Sequence, residues 1–117
     1  MKKIFFAGLI IVLGLSACDL MNGEFNPRNV SVSEAKNLRD GVYVRVTGDI
    51  TRQLFHEWYV FTDNTGSITV EIENEVWARN GINPTTLVLP AAFEIVGEVD
   101  KERNQETIIE VERLRKL

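Results

Sequence analysis

Glu71 and Glu73 stand two residues apart in the run Ile68-Thr69-Val70-Glu71-Ile72-Glu73. On a strand, side chains two apart project to the same side. Two carboxylates on one side can hold a cation by charge. Tyr43 and Trp58 add flat aromatic surfaces able to stack on a planar or sugar ring. Arg45, Thr47 and Thr69 share the same predicted face. Tyr43, Arg45, Trp58, Glu71 and Glu73 are therefore the candidate ligand-binding set. The competing arrangement is a solvated sheet face, with Arg45 and the glutamates paired across strands for well under about 1 kcal/mol each.

Catalytic chemistry finds no comparable grouping. His56 is the single histidine, in a predicted loop with no serine or cysteine beside it. A nucleophile needs an adjacent base and an orienting acid. No Cys/His cluster exists, so a structural zinc site is excluded. Asp63-Asn64-Thr65-Gly66 reads as a hairpin turn, because a calcium loop needs further acidic ligands. No glycine-rich phosphate loop appears. Neither a catalytic residue, a metal site nor a cofactor is expected. A second acidic row, Glu94, Glu98, Asp100, Glu110 and Glu112, falls on the last two predicted strands. Such a row keeps a domain soluble and blunts edge pairing; it can also attract a basic partner protein or a polyamine.

The elements that must position these residues read mainly as strands. Ser31 to Leu38 has a capping-box spacing, Ser31 with Glu34, and reads as a short helix. Val42 to Ile50 alternates, with Val42, Val44, Val46 and Ile50 inward and Gly48 on the same row. Thr51 to His56 reads as a loop. Trp58 to Asp63 and Gly66 to Glu73 form a hairpin, with Tyr59, Phe61, Ile68, Val70 and Ile72 inward. Asn74 to Arg79 reads as a short helix capped by Asn74, with Trp77 plugging the core. Ala92 to Lys101 points Phe93, Ile95, Gly97 and Val99 inward and Val96 outward. Arg103 to Gln105 is a turn, and Thr107 to Leu114 is the last strand.

Five strands with a short helix between the third and fourth is the element order of an OB fold, a five-stranded Greek-key barrel. Glycines on the inward rows permit the sharp bends that a small barrel requires. The predicted class is thus all-β with one or two short helices. The outer face of the first three strands is where such folds bind ligands, and it carries the candidate set.

Residues 1–17 do not read as part of the fold. Lys2 and Lys3 precede an apolar core of about ten residues, the pattern of a signal peptide. Leu15-Ser16-Ala17-Cys18 matches a bacterial lipobox, in which the cysteine sulfur is acylated. Cys18 is also the only cysteine, so no internal disulfide can form. Several acyl chains would anchor the chain firmly. Asp19 favours the inner membrane by the enterobacterial pattern; without acylation the product is soluble and periplasmic. Residues 18–29 read as a flexible tether and 30–117 as the folded domain. Thirteen basic and 17 acidic residues give a net charge of −4, and removing Lys2 and Lys3 with the leader makes it −6. An acidic domain is a poor nucleic-acid binder, since phosphate neutralisation supplies most non-specific affinity.

Val46-Thr47-Gly48-Asp49-Ile50, Tyr59-Val60-Phe61-Thr62-Asp63, Thr65 to Ile72, Trp77 and Gly97-Glu98-Val99-Asp100-Lys101 together resemble the bacterial OB-fold family, the YgiW/YdeI type of periplasmic stress-tolerance proteins. The resemblance spans Val30 to Leu117. It implies an OB barrel without catalytic activity, a link to envelope or oxidative stress tolerance, and binding of a small cationic or envelope-derived ligand. The alternative function is an interaction subunit docking onto an envelope protein complex. Cys18 departs from the family pattern, whose members look soluble.

Overall fold

In the computed structural model, residues 26–102 and 105–117 are described. The expected signal peptide, Cys18, the tether up to residue 25, and Arg103 and Asn104 of the turn lie outside the described residues. The strands are β1 (Arg28–Asn29), β2 (Tyr43–Phe55), β3 (Trp58–Asp63), β4 (Gly66–Glu71), β5 (Ala91–Asp100) and β6 (Ile108–Lys116). Two short helices, α1 (Val32–Ala35) and α2 (Asn74–Arg79), and a 3₁₀ turn at Pro84–Thr86 complete the order.

The sheet order is β1-β2-β3-β4-β6-β5, and β5 returns to pair with β2. The strands therefore form a closed ring. The long strand β2 closes it by serving two partners. Its first part pairs with β5, from Tyr43↔Glu98 to Ile50↔Ala91, and its second with β3, from Asp49↔Thr62 to Phe55↔Trp58. Where the partners change, β2 must come very close to β3. A Cβ on Gly48 would lie 2.5 Å from the Thr62 carbonyl oxygen, so only glycine fits. Gly97 meets the same constraint on β5, where a Cβ would lie 2.3 Å from the Glu110 carbonyl oxygen.

The inward rows fill the ring as their alternation predicts. Val44, Val46, Ile50, Tyr59, Phe61, Ile68, Val70, Ile72, Phe93, Ile95, Val99, Ile109 and Val111 are buried. Helix α2 follows β4 and delivers Trp77, 1% exposed, into this core, edge-on to Tyr59 at 5.7 Å and to Phe93 at 6.0 Å between ring centroids. The expected plug is in place. Helix α1 has the expected capping box: the Ser31 hydroxyl accepts from Glu34 N–H, and the Glu34 carboxylate accepts from Ser31 N–H. The helix is held to the β3–β4 turn by Asp63, whose carboxylate accepts from Val32 N–H at 2.9 Å.

Three local expectations need correction. The segment expected as a loop at Thr51–His56 is strand as far as Phe55. Register shifts between Ile50 and Arg52 and between Gln53 and Phe55 scramble the period-two pattern there, which hid the strand. Val96 keeps its expected outward side, outside the core cluster, yet is only 6% exposed. Its register partner on β6 is Arg113, and on β2 Arg45; long arginine stems beside a small apolar side chain cover it. Glu73 rather than Asn74 occupies the N-cap of α2, and makes no side-chain capping bond. Finally, Arg28 and Asn29, expected in the tether, pair in parallel with Val44 and Arg45. That edge of β2 is vacant because β3 pairs only from Asp49 onward, and unsatisfied backbone groups there recruit the passing chain.

Candidate functional site

Strand register sets the outer face. Tyr43 on β2 faces Glu98 on β5, Glu98 faces Glu110 on β6, Glu110 faces Glu71 on β4, and Glu71 faces Trp58 on β3. Two aromatic residues thus bracket three carboxylates in one transverse row. Adjacent strands lie about 4.8 Å apart, so the row runs on the order of 20 Å around the ring. The two acidic groups that appear separate in the sequence meet on this row. They do so because β4 pairs with β6 in parallel, Thr69↔Ile108 to Glu71↔Glu110.

At the Trp58 end the carboxylates converge. Glu57, Glu71 and Glu73 each offer an oxygen, and these oxygens lie within 4.8 Å of one another. Glu57 sits in the β2–β3 turn. Its backbone carbonyl accepts from Ile72 N–H at 2.8 Å, and its carboxylate accepts from Asn74 N–H at 3.3 Å. Those two bonds tie the turn to the chain leaving β4 and bring Glu57 against Glu71 and Glu73. Asp100, Glu102 and Glu106 face Trp58 and Glu71 across a cleft of about 340 Å³. Glu71 also lines a second cleft, of about 240 Å³, with Glu73, Glu75, Glu110, Glu112 and Arg79. Thr69 is engaged on the same face, its hydroxyl donating to the Glu106 carboxylate at 3.0 Å.

The crowding raises the acids' proton affinity. Burial pushes the Glu71 carboxyl above the usual range, helped by the negative charges of Glu57 and Asp100. A hydrogen bond with Glu75 raises Glu73, and burial and the charges of Glu75, Glu71 and Glu57 add to it. A group of carboxylates that repel one another is relieved by a bound cation. Three oxygens within 4.8 Å suit a divalent ion with oxygen ligands at about 2.3–2.6 Å, water completing the shell. They equally suit an ammonium group.

The five candidate residues separate in space. Trp58, Glu71 and Glu73 come together. Tyr43 lies at the far end of the row, three strands from Glu71 in the ladder. Arg45 belongs to a different group: its guanidinium contacts the Glu94 carboxylate at 3.3 Å and donates to the Asn29 side chain at 3.0 Å. Glu94 also binds Arg115 at 2.8 Å. Arg45 therefore takes the cross-strand pairing role, with Glu94 as partner. Glu57 has no signal in the sequence, because a turn carries no periodicity; its one hint is adjacency to Trp58. His56 is exposed at the hairpin tip, where it has φ +50.

Residues 14–116 match the profile of the bacterial OB fold (BOF) proteins. The chain is 37% identical to protein YgiW of Escherichia coli K12 over 136 aligned positions, covering 100% of this chain and 98% of that one. It is 33% identical over 76 positions to the calcium-regulated OB-fold protein CarO of Pseudomonas aeruginosa PAO1, covering 65% of this chain and 61% of that one. Among solved structures, that of E. coli YgiW superposes with a TM-score of 0.67 at 37% identity, over 77% of this chain and 90% of that chain.

Proposed function

The chain belongs to the bacterial OB-fold family, and on that premise we propose that it is a non-enzymatic binding module that captures a small cation on the Trp58–Glu71 side of the ring. It works outside the cytoplasm, held to a membrane through acylated Cys18, and contributes to envelope or oxidative stress tolerance. The observation that carries the binding role is the convergence of Glu57, Glu71 and Glu73 beside an aromatic side chain. Carboxylates this close gain from a shared positive ligand, and Trp58 offers a π face or an apolar wall for the rest of an organic cation. The calcium-regulated name of one relative makes a divalent ion the first ligand to try; polyamines and aminosugar-bearing envelope fragments follow.

Isothermal titration with calcium, spermidine and peptidoglycan fragments tests this. Sub-millimolar binding of one of them, weakened at least tenfold by E71Q/E73Q and unaffected by E94Q, is expected. No heat from any of the three, or binding indifferent to Glu71 and Glu73, sinks the proposal.

A further inference from the structure

The basic side of the ring begins where the chain enters it. Strand β1 runs along β2 at Val44 and Arg45, and the Arg45 guanidinium donates to the Asn29 side chain at 3.0 Å. Register carries that row across the sheet: Arg45 is the partner of Val96 on β5, and Val96 of Arg113 on β6. The next row runs Thr47, Glu94, Arg115. Arg45, Arg113 and Arg115 share a cleft of about 410 Å³ with Glu94 and Val96. Glu94 does not balance them. Its one negative charge is divided between Arg45 at 3.3 Å and Arg115 at 2.8 Å. A guanidinium carries five N–H donors in a planar fork. The contacts with Glu94 and Asn29 use two donors of Arg45, and Glu94 takes two of Arg115. They fix the guanidiniums in place, with the side chains still 36% and 67% exposed. Arg113 is exposed as well, and so is Arg28 on β1. Arginines held this way present surplus donors to phosphate oxygens, which a guanidinium binds bidentately.

We propose that this arginine face lies on the anionic phospholipid headgroups of the membrane to which the chain is tethered, and so turns the Glu57–Glu71–Glu73 end outward. The proposal rests on acylation at Cys18. The tether argues for a membrane by its place as well as its length. Seven residues separate Cys18 from Asn26, and fully extended they reach at most about 25 Å. Asn26 stands three residues before Asn29, the hydrogen-bond partner of Arg45. The anchor therefore holds the Arg45 row near the lipid surface, at high effective concentration. The Glu57 turn lies at the other end of the 13-residue strand β2. Anionic headgroups attract the first end and repel the second. Each basic side chain near such a surface strengthens the contact about fivefold. Glu98 and Glu110, on the neighbouring row, begin the acidic side and set the limit of the contact.

The test uses the full chain, made in a bacterium that acylates it and placed in phosphatidylcholine vesicles with or without phosphatidylglycerol. Intact mass first reads the acyl chains. With Cys18 acylated, T47C and N74C each supply a single free thiol for a fluorescent label. Thr47 is exposed on the arginine face; Asn74 is exposed beside Glu57. A nitroxide carried on the lipid headgroup quenches whichever label lies against it. With phosphatidylglycerol, strong quenching at position 47 and little at 74 is expected. Salt of about 1 M, where the Debye length falls to about 3 Å, should abolish the difference. R113Q/R115Q should lower the ratio of docked to undocked domain about 25-fold, fivefold for each arginine. R113K/R115K keeps the charge and should keep the docking, which separates charge from folding. Quenching at 47 that persists on phosphatidylcholine alone, equal quenching at both positions, or indifference to R113Q/R115Q overturns the proposal and leaves the anchor standing. No docking on either lipid overturns it too, and assigns the face to an acidic protein partner. A mature chain whose mass lacks acyl groups overturns the anchor, and the proposal with it.

Discussion

Glu71 and Glu73 have carboxyl groups whose proton affinity is raised in the folded chain. The unfolded chain therefore ionises first as pH rises. Stability from these groups is full below the ordinary glutamate range and is lost as pH climbs through their folded values. E71Q/E73Q should accordingly melt roughly 2–5 °C higher than the parent at pH 7 and level with it near pH 3, a modest effect because both groups meet solvent; thermal scans across pH measure it. Asp63 behaves oppositely. Burial alone would raise its carboxyl, but hydrogen bonds from the Thr65 hydroxyl and from the Val32, Thr65 and Gly66 N–H groups together lower it. Its contribution is present above the usual aspartate range and fades as pH falls through its folded value. D63A should cost about 1–2 kcal/mol at pH 7 and little in strong acid, as denaturant titrations at the two pH values will report. At this scale the sequence was informative where side chains alternate on strands: Glu71, Glu73 and Trp58 were legible, and Trp77 was legible as core. Glu57 was not, because its place depends on two hydrogen bonds made by a turn residue, one through its backbone carbonyl and one through its carboxylate.

Strands and helices were legible for a different reason. Period-two runs and the Ser31–Glu34 spacing are local signals, and the ring keeps them. The failures fall where pairing breaks the period. Two register shifts turn the end of β2 into an exposed ribbon that reads as a loop, and between Val96 and Gly97 the β5 register skips from Arg113 to Val111 on β6, passing over Glu112. After that shift the inward row passes from Val111 to Leu114, buried at 5% exposure, which strict alternation would not place. The inward glycines mark the two tightest contacts of the ring. G97A would drive a Cβ to 2.3 Å from the Glu110 carbonyl oxygen, and G48A to 2.5 Å from that of Thr62. Backbone cannot yield as a flexible side chain can, so each should cost about 3 kcal/mol or more, with G97A no milder than G48A in chemical denaturation.

Over the whole molecule, charge is sorted rather than scattered. The side bearing Glu57, Glu71, Glu73, Glu98 and Glu110 is acidic, while Arg45, Arg113 and Arg115 gather around Val96 and Glu94. Such sorting draws cations to one face and raises their local concentration there. It depends on which strands become neighbours, above all on the parallel contact of β4 with β6, and no local pattern announces a parallel pairing between segments so far apart in the chain. The central claim is that this acidic, tryptophan-bearing side is the binding face. Its most direct test is a two-dimensional amide NMR titration of the folded domain with calcium and with spermidine at constant ionic strength. Shifts confined to Glu57, Trp58, Glu71, Glu73 and Asn74, saturating at sub-millimolar ligand, are predicted. Shifts centred on Arg45 and Glu94, or none beyond those produced by sodium chloride, contradict it.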